Sequence, residues 1–306
     1  MNNDVVSGLI ESVADYATVE GRDARGPVGS CRNGEVATAD TQTIEAILGS
    51  FEPISLQATN ESARMLHRTD NKYVMSNAEL RKVLTEFRDQ FAVLEIDRRR
   101  IFDYRSCYFD DDSRLFHEHH QGKRLRAKVR TRQYVDTGDI FFEVKLKGRR
   151  GATTKKRQPC DVFGPPTIDD KNLSMLRGFY REAYDKEFTL SLKPALIVAN
   201  KRFTLVSKAG GERATVDSLL RFEPVGGPAV QIGNDFIIVE TKSGDGKGVA
   251  DRIIQSEHIR IEGSCSKYCI GASLTGQVTK YNNFLPIVRL VREKIVEAES
   301  RGRSNR

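Results

Sequence analysis

No stretch of this chain approaches the ~20 consecutive apolar residues that a membrane-spanning helix requires. The first residues include Asp4 and Glu11 and lack a basic start followed by an apolar core, which argues against a secretory leader. The cysteines number 5 and are scattered (Cys31, Cys107, Cys160, Cys265 and Cys269), a pattern of reduced cytoplasmic thiols and not of a disulfide framework. Cys265 and Cys269 lie close together, but no second pair completes a zinc site. There is no glycine-rich loop ending in Lys-Ser/Thr, no Ser–His–Asp or Cys–His arrangement and no internal repeat. The expectation is a water-soluble cytoplasmic protein without a membrane span, a P-loop or a protein nucleophile.

Basic charge is present, and it is organised. The formal net charge of +7 permits phosphate-rich ligands, nucleic acid or membrane surfaces and chooses none of them. Its local pattern says more. Arg124, Arg126, Lys128, Arg130 and Arg132 occupy every second position, with Leu125, Ala127, Val129 and Thr131 between them. Glu143, Lys145 and Lys147 then alternate with Phe142, Val144 and Leu146. Period-two alternation is the signature of a strand, whose successive side chains point to opposite faces. A row of one sign rich in arginine suits a polyanion, because guanidinium forks match phosphate oxygens.

Composition divides the chain into a segment over residues 1–42 rich in Gly, Ser, Asp, Ala and Thr and read as disordered or loosely attached, a folded unit over 43–298, and a polar tail over 299–306. Ile44, Ile47, Leu48 and Phe51 predict a short helix from near Thr43. Ser76 and Glu79 form a capping-box pair, followed by Leu80, Val83, Leu84, Phe87 and Phe91 at helical spacing. Strands are predicted around Ser106–Phe109, Arg124–Tyr134 and Ile140–Lys147, the last two joined by the turn Asp136-Thr137-Gly138-Asp139. A helix around Leu173–Tyr184 precedes strands at Ala195–Val206, Glu212–Phe222 and Asp235–Thr241, and helical candidates follow near Gly248–His258, Ser266–Gly271 and Phe284–Ala298. Hairpin-joined strands with helices at the ends predict an α+β domain on an antiparallel sheet or barrel.

Other strands add charge. Arg68, Asp70 and Lys72 alternate, Arg202 lies in an apolar context, Arg213, Asp217 and Arg221 share one parity, and Glu240 and Lys242 end an apolar strand. If the sheet closes, these rows converge on a lumen able to hold a phosphate chain and a divalent metal. The alternative is an outer face with solvated charges. Stacking aromatics do not interleave the basic row, which disfavours nucleic acid as the partner. His117, His119 and His120 cluster among Asp110, Asp111, Asp112 and Glu118, and read as surface histidines in a polar turn more readily than as metal ligands.

The ordered series Arg68-x-Asp70-x-Lys72-Tyr73, Arg130-Thr131-Arg132-Gln133-Tyr134, Phe142-Glu143-Val144-Lys145-Leu146-Lys147, Glu212-Arg213-x-Thr215-x-Asp217, Val239-Glu240-x-Lys242 and Ser266-Lys267-Tyr268 resembles the VTC-type polyphosphate polymerase domain, in the CYTH-like triphosphate tunnel group. The resemblance runs from about Phe51 to Phe284. It implies an antiparallel β-barrel forming a charged tunnel, with flanking helices. It also implies transfer of the γ-phosphate of ATP to a growing inorganic polyphosphate chain with Mn2+ or Mg2+.

Carried over by position, the resemblance gives catalytic roles to Lys72, Arg130, Arg132, Lys145 and Arg202, with Lys72 near the reacting phosphate. Arg126, Lys128, Lys147, Arg213, Arg221, Lys242, Ser266 and Lys267 would contact substrate, and Glu240 and Glu143 the metal. Lys155 or Lys156 would add to the tunnel. The wider group often opens with Glu-x-Glu-x-Lys; Arg68, Asp70 and Lys72 stand at those positions, which disfavours hydrolysis by a metal-activated water. A tunnel phosphohydrolase and a non-catalytic polyanion-binding module are the alternative readings. No domain for moving product across a membrane is expected in this chain.

Overall fold

A computed structural model describes residues 39–62, 68–148 and 153–293. The expected loose segment over 1–42 lies mostly outside these residues, and the tail over 299–306 entirely so. Helix α1 (Ala39–Gly49) begins upstream of Thr43 and buries Ile44 and Leu48. Two elements unmarked in the sequence follow, strand β1 (Pro53–Ile54) and helix α2 (Leu56–Ser62). Helix α3 (Asn77–Phe87) starts with the predicted capping box. Glu79 N donates to Ser76 Oγ at 3.3 Å and Ser76 N to Glu79 Oε2 at 2.7 Å, a device worth ~1 kcal/mol. The helix stops before Phe91, which belongs to strand β3 (Phe91–Leu94) and stacks on Phe87 with ring centroids 4.7 Å apart. The apolar period thus ran four residues past the helix, because a turn returned Phe91 to the same core.

The remaining strands are β2 (Thr69–Met75), β4 (Phe102–Asp110), β5 (Arg126–Tyr134), β6 (Ile140–Lys147), β7 (Thr153–Pro159), β8 (Lys193–Ser207), β9 (Arg213–Pro224), β10 (Val230–Gln231) and β11 (Ile237–Ser243). They form one sheet in the order β2-β11-β9-β8-β4-β5-β6-β7, with β10 beside β9, β3 beside β8 and β1 beside β3. Pairing is antiparallel except between β1 and β3. Flat, the six spacings from β2 to β6 would separate those strands by about 29 Å. Instead Lys145 Nζ of β6 lies 3.9 Å from Asp70 Oδ2 of β2. The sheet is therefore curled into a half-barrel, and no strand pairing joins β7 to β2 among the described residues.

Two apolar clusters cover the convex face. Tyr73, Met75, Phe203, Leu205, Ala214, Val216, Ile237 and Val239 pack under α1, α3 and α6 (Val249–Ser256). Cys107, Val129, Phe142, Val144 and Leu146 pack under Leu176 and Phe179 of α5 (Asp170–Tyr184). At ~1.5–3 kcal/mol for each large buried side chain, these clusters hold the curl. A third cluster fills part of the concave side. Leu196, Val198, Leu220, Phe222 and Ile238 meet α7 (Lys267–Leu274) and Ile287, Val288 and Val291 of α8, described over 285–293. Gly271 permits the approach, since a Cβ there would collide with Phe222 Cδ1 and lie 2.6 Å from Leu196 Cδ2.

The histidines of the acidic and histidine-rich segment lie on a helix, while Asp111 and Asp112 form the turn that leads into it. Helix α4 (Arg114–His120) begins over the buried Asp110 carboxylate, which accepts from the amides of Leu115 at 2.8 Å and Phe116 at 2.9 Å. His120 is buried against Asn282, and His119 Nε2 lies 3.1 Å from Ala127 O. Burial, then the nearby Lys128 cation, holds His119 down at about 2. No group of three or more potential metal ligands forms there or elsewhere among the described residues. No described helix is long and apolar enough to cross a membrane.

Candidate phosphate-binding groove

With the apolar members of β5 and β6 committed to the convex core, the charged members turn inward. Arg130 and Glu143 are cross-strand partners, and so are Lys128 and Lys145. Glu143 is only 2% exposed. Its Oε2 accepts from Arg130 Nε at 2.7 Å and Nη2 at 2.6 Å, its Oε1 from Lys155 Nζ at 2.5 Å, and Arg132 Nε stands 3.9 Å away. Burial alone would raise its pKa, but Arg130 and the other cations hold it well below the ordinary value. Both oxygens are used and three cations surround them, so Glu143 does not fit the metal role given to it above. It is the counter-ion that keeps Arg130 and Lys155 in place.

A second carboxylate plays the same part on the opposite wall. Asp217 is fully buried, accepts from Arg202 Nε and Nη2 at 2.7 Å each and from Asn200 Nδ2 at 2.7 Å, and forms a very short contact with Lys267 Nζ. Burial opposes its ionisation, but Arg202 and Lys267 outweigh that and depress its pKa. Arg202 keeps further N–H groups for a ligand, since a guanidinium has five.

The N-terminal end of α7 is fastened across the groove. Lys72 Nζ of β2 donates to Cys265 O at 2.9 Å, Lys128 Nζ of β5 to Ser266 Oγ at 3.0 Å, and Tyr268 OH of α7 to the Asp110 carboxylate of β4. Cys265, Ser266, Lys267 and Tyr268 thus tie this segment to the four strands β2, β5, β9 and β4.

The groove is short of counter-ions. Among the described residues, Lys72, Lys128, Arg130, Arg132, Lys145, Lys155, Arg202, Arg213, Lys242 and Lys267 face Asp70, Glu143, Asp217 and Glu240 as carboxylates, ten cations to four anions. The lysines register the excess. Burial, only partly offset by nearby anions, pulls Lys155 down to about 7 and Lys128 and Lys242 down to about 8. Lys145 is also lowered, by burial first, whereas for Lys72 the lowering effect of burial is outweighed by Glu240, Cys265, Tyr108 and Asp70 together, and its pKa is raised. Arg213 Nε and Arg126 Nε are buried without a hydrogen-bond partner among the described residues. Donors held without acceptors are costly unless an anion completes them.

Glu240 differs from Glu143. It pairs across β11 and β2 with Lys72, one residue pair from Asp70. Within 4 Å its carboxylate meets one cation among the described residues, Lys242 Nζ at 3.0 Å from Oε1, and it is 17% exposed. Burial would raise its pKa, but Lys242, Lys72 and Lys145 hold it well below the ordinary value. One ionised, half-open carboxylate beside a phosphate site fits a divalent ion that takes its other ligands from substrate phosphates and water. Asp70 is less free, its Oδ1 accepting from Arg68 Nε at 3.1 Å.

Of the residues expected to contact substrate, Arg221 is turned away from the groove by the fold. An extra residue in β9 shifts the register between Ala199/Arg221 and Lys201/Ser218, at a bulge where Leu219 has φ 52°. The bulge reverses the parity beyond it, so Leu220 and Phe222 face the concave cluster while Arg221 points outward to Glu223 at 2.9 Å. Arg126 and Lys147 sit opposite each other at the end of the row, Arg126 partly spent on Lys123 O at 2.7 Å. Lys155 faces inward, whereas Lys156 faces outward to Glu182 at 2.8 Å.

Sequence reasoning counted Asp217 only among the lumen charges and assigned no role to Tyr104, Ser106, Tyr108 or Arg157, all of which line the concave face. Arg130 Nη1 donates to Tyr108 OH at 2.9 Å and Arg132 Nε to Ser106 Oγ at 3.3 Å, while the Arg132 and Arg202 guanidinium groups lie 5.6 and 5.2 Å from the Tyr104 ring centre. The period-two pattern of Tyr104, Ser106 and Tyr108 was the available signal.

A curled antiparallel sheet whose concave face carries this cation row defines a tunnel-type fold with a basic groove. The family model described as "VTC domain" matches residues 67–275, and the chain belongs to that family. Solved structures similar to it include a putative adenylate cyclase from Bacillus halodurans (13% identity, covering 66% of this chain and 95% of that one, TM-score 0.41). Another is HpAC1 from Hippeastrum, a putative adenylyl cyclase with a dominant triphosphatase activity (12%, 69% and 97%, TM-score 0.40). PH1819 from Pyrococcus horikoshii OT3 is a third (14%, 65% and 93%, TM-score 0.35). No curated protein sequence matches the chain.

Proposed function

We propose that this protein is a polyphosphate polymerase that transfers the γ-phosphoryl group of ATP to the end of an inorganic polyphosphate chain. The observation that carries the reading is the excess of inward cations over carboxylates, with Arg213 Nε left without an acceptor. A phosphate chain supplies the missing negative charge along the whole row, which a single small anion does not.

The acceptor is itself a phosphate, so no protein nucleophile is needed. Its terminal oxygen attacks the γ-phosphorus, a new P–O bond forms, and the bond to the β-phosphate oxygen breaks to release ADP. Arg130, Arg132 and Arg202, each fixed by a ring, a hydroxyl or a carboxylate, hold the equatorial oxygens, and Lys72 and Lys145 bridge donor and acceptor. Because the transition state is loose and its charge is spread over oxygens, this preset electrostatic field does the catalytic work. Mn2+ or Mg2+ held by Glu240 and phosphate oxygens would supply charge neutralisation at the leaving oxygens. The pairing of Asp70 Oδ1 with Arg68 supports transfer over hydrolysis, since it engages one oxygen of the carboxylate that would orient a water beside Lys72.

Glu240→Gln and Lys72→Met test the assignment. Both are expected to retain the wild-type melting curve within a few degrees and to lose ATP-dependent polymer formation at least 100-fold. Wild-type turnover in either, with folding intact, contradicts it.

A further inference from the structure

Beyond the last cations of the row, the concave face changes character. Tyr104 of β4 and Tyr134 of β5 are cross-strand partners with ring centroids 5.0 Å apart. Phe141 of β6 meets Tyr134 edge-on at 5.8 Å. Arg157 of β7 lies 4.7 Å from the Phe141 ring centre and reaches Tyr134 OH at 3.5 Å. Parity places all four on the inward face, since Phe142 next to Phe141 is in the convex core and Lys155, two before Arg157, reaches Glu143. Tyr104 is spoken for by Arg132 and Arg202. Tyr134, Phe141 and Arg157 each remain partly exposed.

The location matters as much as the chemistry. Tyr134 follows Arg130 and Arg132 on the same face of β5, about 7 Å past Arg132 at a strand's rise. The apolar plug of α7 and α8 covers the other end of β4, at Tyr108. A nucleoside triphosphate whose phosphates lie along Arg130 and Arg132 therefore carries its base toward the aromatic end. Aromatic rings and a guanidinium plane are a stacking surface for any flat heterocycle, and such surfaces tolerate different bases because each has a π-face.

We propose that Tyr134 and Phe141, with Arg157, form the seat of the nucleobase, distinct from the residues that hold phosphate. The proposal rests on the phosphate-row reading above. It makes the groove bipartite: cations for the triphosphate and polymer, an aromatic wall for the part of the donor that the polymer lacks.

Equilibrium binding by the full chain, without divalent ion so that nothing turns over, separates the two parts. The ligands are ATP and inorganic tripolyphosphate, which has the phosphates and no base. Tyr134→Ala is expected to weaken ATP binding about 5- to 100-fold while changing tripolyphosphate binding less than about 2-fold. Tyr134→Phe, which keeps the ring and loses the hydroxyl contact to Arg157, is expected to leave both unchanged. Equal weakening of both ligands, an unchanged ATP affinity in Tyr134→Ala, or a Tyr134→Phe as impaired as Tyr134→Ala overturns the base site. Wild-type protein that binds neither ligand instead overturns the phosphate reading, and the base site with it.

Discussion

Replacing Asp217 with Ala should expose how the groove is held together. The carboxylate is fully buried and accepts two hydrogen bonds from Arg202 and one from Asn200, besides its contact with Lys267. Its two cationic partners are themselves only 15% and 17% exposed. Removing one member of a buried ion pair leaves the partner charge uncompensated and costs about 3–5 kcal/mol. For a domain of this size that loss lowers the melting temperature by about 6–20 °C. Polyphosphate offers a replacement counter-ion, and a ligand at a hundredfold excess over its Kd stabilises by about 2.7 kcal/mol. Thermal melts of wild-type and Asp217→Ala, each with and without polyphosphate, are the assay. The variant should melt lower alone and gain more from polyphosphate than the wild type does. A loss under about 1 kcal/mol, or a smaller ligand-induced gain in the variant, refutes the idea that Asp217 stands in for substrate charge.

Other consequences follow from the same geometry. Lys155 near 7 and Lys128 and Lys242 near 8 are only partly charged above neutrality. Polyanion binding should take up protons and weaken as pH rises from about 7 to 9, read from calorimetry in buffers of different ionisation enthalpy; an affinity flat over that range argues against this. These folded-state values lie below the unfolded 10.5, so the unfolded chain binds more protons between them, and the unliganded protein should gain stability from these groups as pH rises through that window. Arg221→Ala, on the convex face, should change stability by less than about 0.5 kcal/mol and leave polyphosphate affinity at the wild-type value. Gly271→Ala should lower stability by about 1–3 kcal/mol through overpacking against Phe222 and Leu196, measured by denaturant titration.

The strands that pack one apolar face were legible. The row from Arg126 to Arg132 and its partner from Glu143 to Lys147 declared both their period and their inward face, because Val129, Val144 and Leu146 have only one core to join. Strand β2 was marked only by the alternation of Arg68, Asp70 and Lys72, and β7 was not legible as a strand. The Thr153–Pro159 segment is polar on both faces, as an edge strand paired only with β6 can be, so no alternation marks it. The misplacement of Arg221 has a local cause: parity counting assumes an unbroken strand, and a single residue at Leu219 breaks it. The role of Glu143 needed the register, since only the pairing of Glu143 with Arg130, and of β6 with β7, shows how many cations it neutralises. Glu240 and Asp217 have the same chemistry in sequence and different surroundings in the fold, one half-open and one saturated.

The measurement that bears most directly on the central claim is the fate of the γ-phosphate. Purified protein is incubated with γ-labelled ATP, a short polyphosphate primer and Mn2+ or Mg2+, and the label is partitioned between polymer resolved on a gel and free orthophosphate. A ladder of labelled polyanions, with ADP released in equal amount and little orthophosphate, is the predicted result. Label recovered as orthophosphate without a ladder would contradict the polymerase and make the groove a hydrolase, and intact ATP would leave it a polyanion-binding surface.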